Sequence, residues 1–521
     1  MNFLLHALDK ALLTPIRACK KRYIPLLFIY FSYGASAFSA IALSFWEKET
    51  ISLSAQQLIA ISVWIMIPWT VKMVFGQMVD SVKIFGSRRK IYILIGAFFM
   101  ILGSILLAGL AGRYSFFMTL GSEYSLYLLS LLFSTLGFVI QDVTADTMTT
   151  EVVETENKTE EEIQSEIAMV QVLGRLALSV AGFAVAGLGG WLAATFSYES
   201  IFWSTLIIPI ISILGALFVK LEKFEDKLIP PLDYKIFGGG IAFGAFSIFM
   251  GINDFPFSQE IVFIVSFILL STMLFFVARH LPRSQWKVLF GAMAAIFLYR
   301  ATPSVGPGLN WWTIDILEFD QKFFGVLAQI GAATALAILW LFSSFITKYP
   351  LRTVLIFLIF VETIMSLPEL GLYFGIHEYL GMNAQTIALF DTALSSPLVH
   401  ISMVLILSLI AFYAPKGYRG TWFAIGASFT NLALTAGSLF TKYLNKIFIV
   451  TREVQNEAGE ILSTQNYDNL GSLLITVIII SFFMPLLAVF LFLPKKKKKQ
   501  PNNIDFPEEV GVPQSVFERR P

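Results

Sequence analysis

The sequence predicts an all-α integral membrane protein, and three observations carry that prediction. Hydrophobic residues fill 56% of the 521 positions, and the mean hydropathy is +0.73. Charged residues fill only 14%, against roughly 25% in a soluble domain, too few to cover the surface of a chain this long. Apolar runs of about 20 residues, enough to cross a bilayer as a helix, recur from end to end. This composition excludes a soluble enzyme and a disordered protein. A net charge of +1 supplies no field to gather nucleic acid. The single cysteine, Cys19, excludes an internal disulfide and any cysteine-based zinc or iron–sulfur centre. His6, His280, His377 and His400 contain no i, i+4 pair, so neither a metal nor a cofactor is expected.

The expected spans are 25–46, 57–79, 91–112, 123–149, 167–194, 199–219, 234–252, 259–278, 287–312, 323–346, 353–375, 385–412, 421–446 and 469–493. That makes 14 transmembrane helices, with 12 and an interfacial hairpin as the alternative count. The chain then divides into an N-terminal segment (1–24) with helical apolar spacing at Phe3, Leu4, Leu8, Ala11 and Leu12, a six-helix block (25–220), a linker with an inserted hairpin (221–286), a second six-helix block (287–494) and a basic, disordered tail (495–521). Lysine and arginine placement supports an even count. Lys20, Lys21, Arg22, Arg88, Arg89, Lys90, Lys220, Arg283, Arg352 and Lys495 to Lys499 fall on one side, and few cations fall on the other. By the positive-inside rule both termini are cytoplasmic, in a multi-pass protein of the cell membrane. The run from Glu151 to Glu166 holds seven glutamates against one lysine and reads as a solvated helix extension.

Charge at membrane depth is costly, about 2.5–3.5 kcal/mol on insertion scales, and tends to line a cavity or to pair. Ser134, Phe138, Asp142 and Asp146 recur every four residues, so one face of the fourth span should carry them, flanked by Thr135 and Gln141. Asp142 and Asp146 are therefore candidates for proton coupling, with structural pairing to Lys72 or Arg175 as the competing role. Lys72, Arg175 and Arg300 would favour an anionic solute if they met on a cavity, arginine being suited to carboxylates; salt bridging to Glu362 and the other acids is the alternative. Asp391, His400 and Asn431 sit on polar stripes of the last spans and join the substrate-binding candidates. Gly182, Ala186 and Gly190, like Ser32, Ser36 and Ala40, form small-residue stripes that permit close helix packing.

The loop after the second span reads Gly76-Gln-Met-Val-Asp80-Ser-Val-Lys-Ile-Phe-Gly86-Ser-Arg88-Arg89-Lys90. It resembles the glycine–acid–basic-cluster signature of the major facilitator superfamily, in which the acid and arginines serve a gate. Pro68-Trp69-Thr70-Val71-Lys72, Gln141-Asp142-Val143-Thr144-Ala145-Asp146, Ala301-Thr302-Pro303-Ser304 and Pro415-Lys416-Gly417-Tyr418-Arg419-Gly420-Thr421-Trp422 resemble the folate–biopterin transporter family. The first four spans are also similar to muropeptide permeases. Tyr418-Arg419 and Arg300 depart from the family pattern, and the hairpin at 234–278 is extra. The resemblance implies two six-helix bundles related by a pseudo-twofold, with binding at the midplane. It implies a secondary active transporter of a small organic anion, folate- or pterin-like, working by alternating access with proton coupling. The solute and the bilayer would be its partners, and the protein would be monomeric. Muropeptides, carboxylate siderophores and nucleosides are alternative cargoes. A non-transporting sensor or a membrane-embedded enzyme are the other classes. No nucleophile–base pair, paired catalytic motif or metal cluster appears at an interface, which speaks against an enzyme, and no ATP-binding loop occurs, which speaks against primary pumping by this chain alone.

Overall fold

The computed structural model describes residues 17–154, 156, 158–221, 234–253, 255–279, 283–348, 351–412, 419–455 and 461–493. The expected N-terminal interfacial helix, the Pro415–Tyr418 part of the loop motif and the basic tail lie outside the described residues. Each expected span meets helix at its place. In chain order the helices are α1 (Ile24–Ala35), α2 (Ala40–Glu49), α3 (Ala55–Thr70), α4 (Lys72–Ser81), α5 (Lys90–Ala111), α6 (Ser115–Met118), α7 (Glu123–Glu151), α8 (Glu160–Thr195), α9 (Tyr198–Ser204) and α10 (Ile207–Phe218). They continue as α11 (Tyr234–Ile252), α12 (Ser258–Ala278), α13 (Arg283–Arg300), α14 (Pro307–Asp315), α15 (Gln321–Lys348), α16 (Leu351–Met365), α17 (Leu367–Tyr373), α18 (Ile376–Tyr379), α19 (Ala384–Phe412), α20 (Arg419–Ile447) and α21 (Leu470–Phe492). Strands β1 (Val454–Gln455) and β2 (Ile461–Ser463) pair antiparallel just before α21. Among the described residues, nine helical stretches, some joining two consecutive helices, are long and apolar enough to cross a membrane, and α12 of the inserted hairpin is among them. Large apolar side chains such as Leu217, Ile264 and Leu491 stay exposed on these spans, as a lipid-facing surface requires.

Local chemistry sets the helix starts. Ser54 and Gln57 close a capping box on α3, and Thr159 and Glu162 close one on α8, each satisfying orphan N–H groups of the first turn. Helix α8 therefore begins seven residues before the expected span, inside the acidic run. Pro68 sits within α3, and the helix breaks at Val71 before α4 resumes at Lys72. The expected ninth span breaks too. Residues 301–306 leave the helix and Gly306 takes a positive φ of 86° before α14 begins. Side chains of α20 satisfy the freed backbone: Thr441 Oγ1 accepts from Ser304 N at 2.9 Å, and Asn445 Nδ2 donates to Val305 O at 3.0 Å. Non-helical backbone at membrane depth survives where protein groups replace the missing ladder.

The chain forms two compact units. The first comprises Met1–Ser52, Val74–Phe237 and Phe319–Leu341; the second comprises Leu53–Met73, Gly238–Glu318 and Phe342–Pro521. In the first unit α5 and α7 approach closely because glycines face them on both sides. A Cβ on Gly96 would lie 2.7 Å from Gly137 O, and one on Gly137 would lie 2.4 Å from Gly96 O. Gly190 meets Gly325 of α15 in the same way, at 2.5 Å from its Cα. Trp46 anchors the core of this unit, edge-on to Tyr127 and Phe202. In the second unit the inserted hairpin is tied to α20 and α3. Lys442 Nζ donates to Gln259 and Glu260 at 2.8 Å, and Gln259 Nε2 donates to Ala60 O at 2.9 Å.

Candidate functional site

In the first unit, α1 and α7 flank a small, partly open cavity of about 10 Å³, room for one water, lined by Ile29, Tyr30, Tyr33, Phe138, Gln141, Asp142 and Ala145. Gln141 fixes the rotation of α7. Its amide Nε2 donates to Ile93 O and to Ser212 Oγ, both at 2.9 Å, and the side chain is buried. With Gln141 locked toward α5 and α10, the next residue, Asp142, faces the cavity. Phe138 lies one turn earlier, with its ring 5.5 Å from that of Tyr33.

Asp146, one turn later, is already engaged. Tyr30 Oη donates to its Oδ1 at 2.9 Å, and Arg175 Nη2 stands 3.6 Å from the same oxygen. The pairing expected as the structural alternative is thus present. Neither side chain is fully buried within the protein, at 62% accessible for Arg175 and 39% for Asp146. Arg175 also feels the charge of Asp142. The four-residue stripe is only partly realised. Ser134 donates to Ser130 O and abuts Gly103 of α5 instead of reaching the cavity. A four-residue step overshoots a 3.6-residue turn by about 40°, so Ser134 is rotated away from Asp146 by roughly a third of a turn.

The three cations separate between units: Arg175 lies in the first, Lys72 and Arg300 in the second. Lys72 is half-buried at the break between α3 and α4. Arg300 ends α13 beside the Tyr299 hydroxyl and the Glu362 carboxylate of α16, with its Nε buried and without a hydrogen-bond partner. Asp391 has Glu369 of α17 as its charged neighbour, and its Oδ1 is buried without a partner. Asn431 Nδ2 donates to Trp69 O at 3.1 Å, so its amide joins α20 to α3. His400 lies in α19, but its side chain is outside the described residues.

The gate motif forms a charge network in the first unit. Arg89 is buried at the start of α5, 2.9 Å from Asp80 and 2.6 Å from Glu151 at the end of α7. Phe85 and Gly86 both take positive φ, 48° and 76°, in a tight turn closed by the Ile84–Ser87 pair, which suits the glycine. Gly76 is not a close-packing residue: a Cβ there would meet only Val143 Cγ1, at an ordinary 3.7 Å. The solvated reading of the acidic run also fails in part. Glu151 is 5% exposed and paired. Glu166 accepts from Lys20, Tyr23 and Lys158, and Arg22 pairs with Glu154. Outside the membrane, burial first and Glu166 second push the Tyr23 phenol well above its ordinary range.

The BT1 family matches the chain over residues 34–509. The chain belongs to the BT1 family. Among its BT1-like relatives, the folate–biopterin transporter of Synechocystis sp. is 26% identical over 511 residues, 95% of this chain and 88% of that protein. Folate transporter 1 of Plasmodium falciparum is 21% identical over 468 residues, 90% of this chain and 78% of that protein. The fold is shared with a POT family transporter in complex with 5-aminolevulinic acid (TM-score 0.60, 11% identity, covering 90% and 96% of the two chains). It is shared as well with the inward-open xylose transporter XylE from E. coli (TM-score 0.53, 13% identity, 92% and 96%). This BT1 protein is therefore a multi-pass membrane transporter of the major facilitator fold, not an enzyme, and it handles a small-molecule solute.

Proposed function

We propose that this protein is a proton-coupled secondary transporter of a small organic anion of the folate or pterin type, working by alternating access. The observation that carries the reading is the cavity of the first unit, where aromatic rings and the Asp142 carboxylate stand one turn from the Tyr30–Asp146–Arg175 cluster. Aromatic faces suit a flat heterocycle. Two acids within a turn of each other provide the proton site, and Arg175 provides a carboxylate partner. The names of the curated relatives point to the same cargo class. Lys72, Arg300, Asp391, His400 and Asn431 remain substrate-binding candidates in the second unit, and Asp80, Arg88 and Arg89, with Gly76 and Gly86, serve the gate. The moving bodies would be the blocks 25–220 and 287–494, in a monomer of the cell membrane with both termini cytoplasmic.

The test is uptake of labelled folate and pterin by proteoliposomes, with and without a pH gradient. The gradient should drive accumulation, and Asp142→Asn and Asp146→Asn should each abolish that dependence. If both variants keep the uptake and the pH dependence of the wild type, the coupling assignment is wrong.

A further inference from the structure

The inserted hairpin, α11 and α12, is the part of the chain that the family resemblance leaves without a role. Its two sides are held unequally. Toward α13 and α20 it is fixed by charge and by rings. Lys442 Nζ of α20 stands 2.8 Å from Glu260 Oε1, and Tyr443 Oη donates to the same oxygen at 2.9 Å. Phe263 and Phe267 join Phe297 of α13 and Phe429 of α20 in an aromatic cluster, with centroids 5.6 to 6.5 Å apart. Toward α3 the hairpin reaches with the amide of Gln259. This side chain is buried, and its Nε2 donates to Ala60 O at 2.9 Å. Gly251 of α11 lies beside the Trp64 ring, which a Cβ there would meet at 3.7 Å. The Gln259 amide has one orientation. Its Oε1 accepts from Lys442 at 2.8 Å, and an ammonium only donates, so the N–H side is the one left for Ala60.

Helix α3 is also where the chain changes unit. Residues Leu53–Met73 belong to the second unit, while the chain on both sides of them belongs to the first. The helix breaks at Val71, with φ −103° and ψ 19°, just after Pro68. An element end of this kind can absorb the φ/ψ change of a hinge. Arg452 Nη2 donates to Leu53 O and Asn431 Nδ2 to Trp69 O, both at 3.1 Å, so Gln259 holds the stretch between two tethered ends. We propose that Gln259 is a latch: a positioning residue through which the inserted hairpin keeps α3 docked in the second unit, and whose release lets α3 leave during the transport cycle. Lys442 aims the latch by fixing the amide. A single amide-to-carbonyl bond has a small net worth, enough to bias a two-state element and little enough to break in every cycle. The latch rests on the alternating-access part of the proposed function, and not on the cargo or the coupling ion.

The experiment is cysteine labelling of the full-length protein in detergent by a water-soluble maleimide, with Cys19→Ser removing the native thiol. Ile59→Cys reports on α3, because Ile59 is buried and its Cδ1 lies 3.2 Å from the position of a Cβ on Gly306. Met148→Cys, fully buried in the first unit, reports on general loosening. Labelling of a buried thiol tracks the population in which it is open. Gln259→Leu should speed labelling at Ile59→Cys about fivefold, the ordinary worth of one neutral hydrogen bond, and leave Met148→Cys unchanged. Gln259→Glu keeps the size and the Lys442 contact but removes the N–H donor, so it should label as fast as Gln259→Leu. Lys442→Met leaves the amide unaimed and should give a smaller rise. Wild-type labelling at Ile59→Cys in Gln259→Glu overturns the latch, even where Gln259→Leu fails to fold. An equal rise at both reporters overturns it as well, since a merely structural role would loosen the whole protein. No solute enters this measurement, so the proposed function is judged separately by uptake into proteoliposomes. Failed folate and pterin uptake with a selective rise at Ile59→Cys sinks the cargo and keeps the latch; normal uptake with no rise does the reverse.

Discussion

Arg89 and Glu151, 62 residues apart in sequence, form a buried ion pair, with Nη2 2.6 Å from Oε1 and both side chains about as covered as core residues. Arg89 also donates to Val79 O at 2.5 Å and reaches Asp80 at 2.9 Å. One guanidinium thus joins the end of α4, the start of α5 and the end of α7. Removing one member of a buried pair leaves the other charge uncompensated, at a cost of about 3–5 kcal/mol. Glu151→Gln should therefore lower the thermal midpoint of the purified protein clearly, although Asp80 still neutralises part of the arginine. Arg89→Met should lower it further, because it strands two acids. The double variant Arg89→Met with Glu151→Met should lose less than the sum of the singles. Strict additivity would mean the two residues are not coupled.

Two glycines of the first unit should respond in opposite ways. Gly96 faces Gly137 O and the Gln141 side chain, which a new Cβ would approach to 2.7 and 2.6 Å. Gly96→Ala must push α5 from α7 or displace the amide that holds Asp142 toward its cavity. Overpacking of this kind costs about 1–3 kcal/mol. Gly76 has ordinary clearance, so Gly76→Ala should be neutral or slightly stabilising through helix propensity. Thermal unfolding of the two variants in the same detergent tests the contrast. Comparable loss in both would mean that the motif glycine is packed more tightly than its surroundings indicate.

The helical frame was legible because its signals are local. Runs of apolar residues act on their own neighbourhoods, whereas the break at Val71 within the expected span 57–79 and the Thr159 cap that starts α8 before residue 167 were not read from the sequence. Asp142 and Asp146 stood out because an acid in an apolar run is rare. The tyrosines that complete their site did not, since Tyr30 and Tyr33 lie more than 100 residues earlier and a tyrosine in a membrane span is unremarkable by itself. The Tyr30–Tyr33 spacing, one turn of helix, was the available signal. Glu151 was hidden for the opposite reason: six more glutamates follow it, and a run looks solvated whichever member has a partner. The break at 301–306 was masked because Asn445, more than 100 residues on, supplies the hydrogen bond that makes it tolerable.

Glu162 gives a pH signature outside the membrane. Its carboxylate accepts from the backbone N–H and the hydroxyl of Thr159, and these hydrogen bonds hold its pKa below the ordinary glutamate value. A depressed folded-state pKa adds stability that is present above the unfolded value, about 4.3, and is lost as pH falls through the folded value. Unfolding midpoints measured from pH 7 down to pH 3 should therefore fall less steeply in Glu162→Gln than in the wild type. Identical acid limbs would show that the capping box contributes no proton linkage.

The interrupted helix between α13 and α14 makes the sharpest demand on single side chains. Asn445 is 5% exposed, and its Nδ2 donates both to Val305 O, itself in a buried residue, and to Thr441 O. Asn445→Leu keeps the bulk and removes the donor. The Val305 carbonyl is then buried without a partner, which costs about 1–3 kcal/mol. Thr441→Val removes the acceptor for Ser304 N–H, but Ser304 is exposed, so this variant should lose less. The order of the two thermal midpoints is the measurement. Asn445→Leu should fall below Thr441→Val, and the reverse order would mean that the break is held from the Ser304 side.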